Sequence, residues 1–213
     1  MADLILASGS PRRRELLRRL GLPFAIHPAD VDETLLPDEL PSSAVMRLAA
    51  SKAEAIATRF PTAIILAADT LVVDPPATIL GKPANPTAAG EMLRRLRGRQ
   101  HIVITALTLR QDSEPQSGTA TTLVQMRDYS DAEIEAYIAS GDSLDKAGGY
   151  AIQYQDFRPV ATIEGCYTNV VGLPLCLTYA LLYEAGLRPD ISALVACNAY
   201  GNRCPTASTM LGR

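Results

Sequence analysis

The sequence predicts a mixed α/β fold, and three observations carry the prediction. Short apolar runs that read as buried strands alternate with segments whose apolar residues recur every three to four positions. Two long β-rich stretches flank a polar loop, so hairpins interrupt the alternation. Serine, proline and glycine stand where helices would begin and end. The chain has 213 residues, 47% hydrophobic and 20% charged, which suits a globular protein with a sizeable core.

The elements follow in order. "LILA" at residues 4–7 is a short buried strand. Ser10 is an N-cap and Pro11 a favoured first helical residue. Leu16, Leu17 and Leu20 then recur at helical spacing until Gly21. "FAIHPADVDET" reads as a strand running into an acidic loop. Residues 41–59 form a second helix, with Val45, Leu48, Ala49, Ala53 and Ile56 as its apolar stripe and Lys52 beside that stripe. "AIILAAD" at 63–69 is an apolar strand ending on a carboxylate, and "LVVD" and "TILGKP" make a hairpin around Pro75 and Pro76. Residues 86–96 are helical. "HIVITALTLR" and "GTATTLVQMRDY" form a long hairpin around the loop "QDSEPQSG". Ser130 and Glu133 are a capping box for a helix over 130–140. A glycine-containing loop covers 141–150, a strand 158–164 and an amphipathic helix 174–184. Periodicity fades after Pro189, so residues 1–188 are expected to be the folded domain and 189–213 a poorly ordered tail. No internal repeat is evident.

The formal net charge is −3, so a general nucleic-acid binder is not expected and any anion site must be local. The four cysteines form no Cys-x-x-Cys pair, and the two histidines have no metal-ligand spacing with them, which argues against zinc and for reduced thiols. No signal peptide is visible and no apolar run reaches the ~20 residues of a membrane span. A cytoplasmic protein without membrane association is the expectation.

Three groups of residues could carry chemistry. Ser8, Gly9 and Ser10 precede a helix whose first turn holds Arg12 and Arg13. Cations oppose the helix dipole there, whereas a bound anion would use both the cations and the free N–H groups. A capped surface helix with solvated arginines explains the stretch equally well. The spacing is not that of a Walker A loop. Asp69 closes an apolar strand, and Asp30, Asp32 and Glu33 lie in the acidic loop; carboxylates from two loops can share a divalent cation. Asp30 and Asp32 read better as solvated loop charges. Lys52, Lys82 and Lys146 would each be solvent-facing alone, yet together with the arginines they can make a phosphate funnel. Gln153 offers an amide that suits the imide edge of a pyrimidine, or is simply a polar strand residue.

Read together, "LASGSPRRRELL", "DVDET", "RLAASKA", "AADTLVV", "ILGKP", "LDKAGGYAIQ" and "NVVGLPL" resemble the Maf family of nucleoside triphosphate pyrophosphatases, over roughly residues 4–186. The resemblance implies an elongated, two-lobed α/β fold with a central cleft, similar to the inosine triphosphatase (Maf/Ham1-like) group. It implies hydrolysis of a nucleoside triphosphate to monophosphate and pyrophosphate with a divalent cation, Mg²⁺ or Mn²⁺. By the same resemblance Asp69 matches the general base and Glu33 an acidic residue near the metal. Ser8, Arg13, Lys52 and Lys82 match triphosphate contacts. Arg12, Thr70 and Gln153 match the branch of the family that prefers dTTP and UTP, rather than the branch acting on 7-methyl-GTP. A homodimer is the assembly the family leads one to expect. The rival readings are a phosphomonoesterase and a non-catalytic nucleotide-binding regulator of cell division.

Overall fold

The computed structural model describes residues 3–111 and 114–198. Its strands are β1 (Leu4–Leu6), β2 (Ala25–Ile26), β3 (Ile64–Asp74), β4 (Thr78–Leu80), β5 (Gln100–Gln111), β6 (Glu114–Met126) and β7 (Val160–Glu164). They make one sheet in the order β2-β1-β3-β5-β6-β7, with β4 paired to β3. β1 is parallel to both β2 and β3, and the pairings from β3 through β7 are antiparallel. The helices are α1 (Pro11–Arg18), α2 (Pro41–Ala57), α3 (Pro86–Leu96), α4 (Asp131–Ala139), α5 (Tyr167–Val171), α6 (Leu175–Glu184) and α7 (Ala193–Asn198). Among the described residues no helix is long and apolar enough to cross a membrane.

Local chemistry explains the boundaries. Ser10, Asn85 and Ser130 each accept a backbone N–H from the first turn of α1, α3 and α4, and Ser130 and Glu133 form the expected capping box. Two expectations shift. Residues of the polar loop "QDSEPQSG" continue both strands, since β5 reaches Gln111 and β6 starts at Glu114; cross-strand pairing overrides their weak propensity. The strand through Asp69 does not end there but runs on to Asp74, paired with β5 as far as Val73.

The side-chain alternation of β3 organises the core. Ile64, Leu66 and Ala68 pack with Leu6, Leu16, Leu20, Leu107 and Leu182 in one cluster. Farther along the same face, Val72 packs with Leu93, Val103, Tyr129 and Tyr137 in a second. The other face is covered by α2, where Ala53 and Ile56 meet Ile65 and Ala67, and Val45 and Ala49 meet Leu71 and Val73. The fold is thus two-lobed, with polar Asp69 and Thr70 where the apolar clusters give way to each other. By the period of a strand, Asp69 falls on the α2 face and Thr70 on the opposite one.

α5 and α7 carry no clear periodicity in the sequence. Each is short, at 5 and 6 residues, too short to show a repeat. Ala193, Ala196 and Cys197 of α7 are nonetheless buried in the first cluster, so packing sets this helix. Residues 199–213 of the expected tail lie outside the described residues.

Candidate active site

A cleft of about 670 Å³ opens between the lobes. Its floor begins at the C-terminal end of β1, where Ser8 is buried and leads into α1. α1 presents its first turn to the cleft, with Arg12 and Arg13 both in the lining. The Arg13 side chain turns inward. Its Nε donates to the Gly172 carbonyl at 2.9 Å, and its terminal nitrogens donate to Ser8 Oγ at 3.3 Å and Thr70 Oγ1 at 3.0 Å. Burial is the strongest influence on this guanidinium and lowers its pKa, while the negative charge of Asp69 opposes the shift.

Lys52 and the carboxylates meet on the other side of β3. Residues 45, 49, 52 and 56 share one face of α2, so Lys52 lies within the apolar stripe rather than beside it. Its side chain is 9% exposed, and Nζ reaches Asp69 Oδ1 at 2.5 Å and Glu33 Oε1 at 2.6 Å. Partial burial acts most strongly on Glu33 and would raise its pKa. The Lys52 ammonium, helped by Lys82 and Arg13, outweighs that and lowers it. Two carboxylates therefore converge on one cationic point. That geometry and the all-oxygen donor set fit a hard divalent cation. Among the described residues no group of three or more His, Cys, Asp or Glu could hold a metal, so remaining ligands would come from water and substrate oxygens. Asp30 and Asp32 lie outside the cleft lining, and Asp32 accepts the Thr34 N–H as a turn residue.

The remaining expected residues line the same cleft. Thr70 and the half-buried Gln153 face it, as does the exposed Lys82. Lys146 also lines it but is not a free cation, because it is buried against Asp142 and Asp145. Asp145 additionally binds Arg12 at 3.1 Å, joining α1 to the 142–146 loop across the cleft. The 3-10 turn Ala147–Gly149 then needs glycine, for Gly148 has φ 72° and a Cβ there would meet Val72 at 3.1 Å. Tyr150 closes this side, its hydroxyl 2.7 Å from Nε2 of the fully buried His101.

The sequence alone does not single out Asp145 or Gly172. Gly172 serves through a backbone carbonyl, which no side-chain pattern reports. Asp145 stands directly before a lysine, and that adjacency was the available signal.

The arrangement places cationic side chains and paired carboxylates around one cavity. A protein of Thermomicrobium roseum named dTTP/UTP pyrophosphatase is 51% identical over 185 residues, 86% of this chain and 84% of the relative. One of Moorella thermoacetica with the same name is 48% identical over 189 residues, 88% of this chain and 97% of the relative. Among solved structures, a HAM1 protein from Coxiella burnetii aligns with a TM-score of 0.42 and 17% identity, covering 61% of this chain and 75% of that one. The family described as Maf-like protein matches residues 3–185, and the chain belongs to it.

Proposed function

We propose that this chain is a nucleoside triphosphate pyrophosphatase that converts dTTP and UTP to the monophosphate and pyrophosphate. The observation that carries the reading is the convergence of Asp69 and Glu33 on Lys52, in a cleft that the first turn of α1 and Arg13 also face. The names of the Thermomicrobium and Moorella relatives support the substrate pair.

The triphosphate lies against the N-terminus of α1, where the positive end of the helix dipole and Ser8 meet its oxygens. Arg13 and Lys82 add charge, and Lys52 reaches a phosphate oxygen from the carboxylate side. Glu33 and Asp69 would hold Mg²⁺ or Mn²⁺, which when bound supplies charge neutralisation at phosphate oxygens. Asp69 takes a proton from a water. The water oxygen bonds to the α-phosphorus, and the bond from that phosphorus to the bridging oxygen breaks to release pyrophosphate. Arg12, Thr70 and Gln153 face the base. Gln153 can donate and accept at once, which matches a pyrimidine imide edge. A polar readout of this kind discriminates against a wrong base, because the mismatch leaves groups unpaired.

The test is a screen of dTTP, UTP, CTP and 7-methyl-GTP with Mg²⁺ and with Mn²⁺, assayed separately for pyrophosphate and inorganic phosphate. Pyrophosphate from dTTP and UTP is the expected result. Release of inorganic phosphate, or tight binding without turnover, would overturn it in favour of a phosphomonoesterase or a sensor.

A further inference from the structure

Arg13 is held by a chain of hydrogen bonds whose direction is fixed at its far end. Thr105 on β5 lies directly opposite Thr70 on β3 and is fully buried. Its hydroxyl donates to the backbone carbonyl of Asn169 at 3.1 Å. A hydroxyl has one proton, so the Thr105 oxygen can then only accept. The Thr70 hydroxyl, 3.0 Å away, must be the donor between the two. With its proton committed, Thr70 Oγ1 is left to accept from the Arg13 guanidinium at 3.0 Å. The anchor is firm. Asn169 is fully buried, and its side-chain amide donates to the Val103 carbonyl at 3.1 Å and to Thr122 Oγ1 at 2.8 Å.

We infer that Thr105, which does not line the cleft, is a positioning residue for the triphosphate site: it fixes Thr70 as an acceptor and so aims Arg13. The inference rests on the proposed role of Arg13 as a phosphate clamp. Without the Thr105 hydroxyl, the Thr70 proton loses its fixed acceptor and the Thr70 hydroxyl is free to rotate. A guanidinium offers only donors, so every orientation that carries the Thr70 proton toward Arg13 breaks their contact. Arg13 would keep its contacts to Ser8 and Gly172, while the third, which sets its direction, would be weakened because Thr70 is no longer fixed as an acceptor. The anchor would not be orphaned, since the Asn169 carbonyl also accepts the Gly172 N–H at 3.0 Å.

The experiment compares Thr105→Val, Thr105→Ser, Thr70→Val and the Thr70→Val/Thr105→Val pair in the full chain. Weakening of one charge-assisted contact predicts a KM for dTTP raised several-fold in Thr105→Val, with kcat little changed. Thr105→Ser keeps the hydroxyl and should match wild type. The double variant should be no worse than Thr70→Val alone, because the effect passes through Thr70. Equal losses in the valine and serine variants, or losses that add in the double variant, would overturn the inference. If Thr105→Val does not fold, Thr105→Ala is read the same way. Inorganic tripolyphosphate, titrated by calorimetry, tests the clamp without turnover. Wild type that binds it but releases no pyrophosphate from dTTP refutes the proposed function alone. A Thr105→Val variant that binds it as tightly as wild type refutes the role of Thr105.

Discussion

Lys52 Nζ lies 2.5 Å from Asp69 Oδ1, and both side chains are only 9% exposed. The pair follows from two periodicities meeting. Strand alternation puts Asp69 between Ala67 and Leu71 on the face that α2 covers, and helical spacing puts Lys52 between Ala49 and Ile56 on the face that α2 buries. Each charge offsets the cost of burying the other. Glu33 reaches the same ammonium at 2.6 Å from the acidic loop, with its side chain 54% exposed.

Lys52→Met should therefore leave Asp69 buried without its partner. Removing one member of a buried pair costs about 3 kcal/mol at the lower end of the usual range, and solvent around Glu33 favours that lower end. Urea unfolding without metal measures it. If the two carboxylates form a cation site, Mn²⁺ should restore more stability to this variant than it adds to wild type. Equal Mn²⁺ effects on both proteins would remove Glu33 and Asp69 as a metal pair.

Asp69→Asn should preserve the fold, because the amide oxygen can still accept from Lys52. It cannot take a proton from water. General-base assistance is worth about 10²–10⁴ in rate, so pyrophosphate release should fall at least a hundredfold. Turnover near the wild-type rate with an unchanged melting temperature would take the base role from Asp69.

Much of this site was legible before the fold was known. The caps and prolines locate the starts of α1, α3 and α4 to within a residue, because caps and proline at the first helical position are local chemistry. Asp69 is singled out by the apolar run before it, Arg13 as a cation in the first turn of a helix and Lys82 by its tight turn, while the resemblance to the family adds the roles of Ser8 and Lys52; all line one cleft. What escaped depends on contacts between distant segments. Asp69 reads as a strand end because a charge follows an apolar run, yet β5 pairs past it. Lys146 reads as a free cation until Asp142 and Asp145 close on it. α7 owes its existence to the core it caps rather than to any repeat of its own.

Gln153→Ala should weaken the choice of base without stopping chemistry. The side chain lines the cleft and lies apart from the Lys52 carboxylate pair in sequence and in contacts. The ratio of kcat/KM for UTP over CTP should fall by about tenfold, roughly the worth of one hydrogen bond. Wild-type ratios in the variant would move base recognition elsewhere in the cleft.

His101 gives the molecule a pH dependence of its own. It is fully buried, and burial lowers its pKa from 6.5 to about 4, only partly offset by the nearby negative charge of Asp74. Asp74 itself is held by Arg95 at 2.6 Å. As pH falls below 6.5, the unfolded chain takes up a proton that the folded ring refuses. The unfolded state binds more protons across that window, so stability rises with pH there. The neutral ring's full contribution is present above pH 6.5 and is lost progressively down to pH 4, about 3 kcal/mol in all. Glu33 and Asp145, whose pKa values are lowered from carboxylate values, add to the loss only in more acid solution. His101→Gln can still hydrogen-bond Tyr150 but does not titrate. Urea midpoints measured at intervals from pH 7 to 4.5 should slope in wild type and flatten in the variant. A slope that survives the substitution would mean that another group carries it.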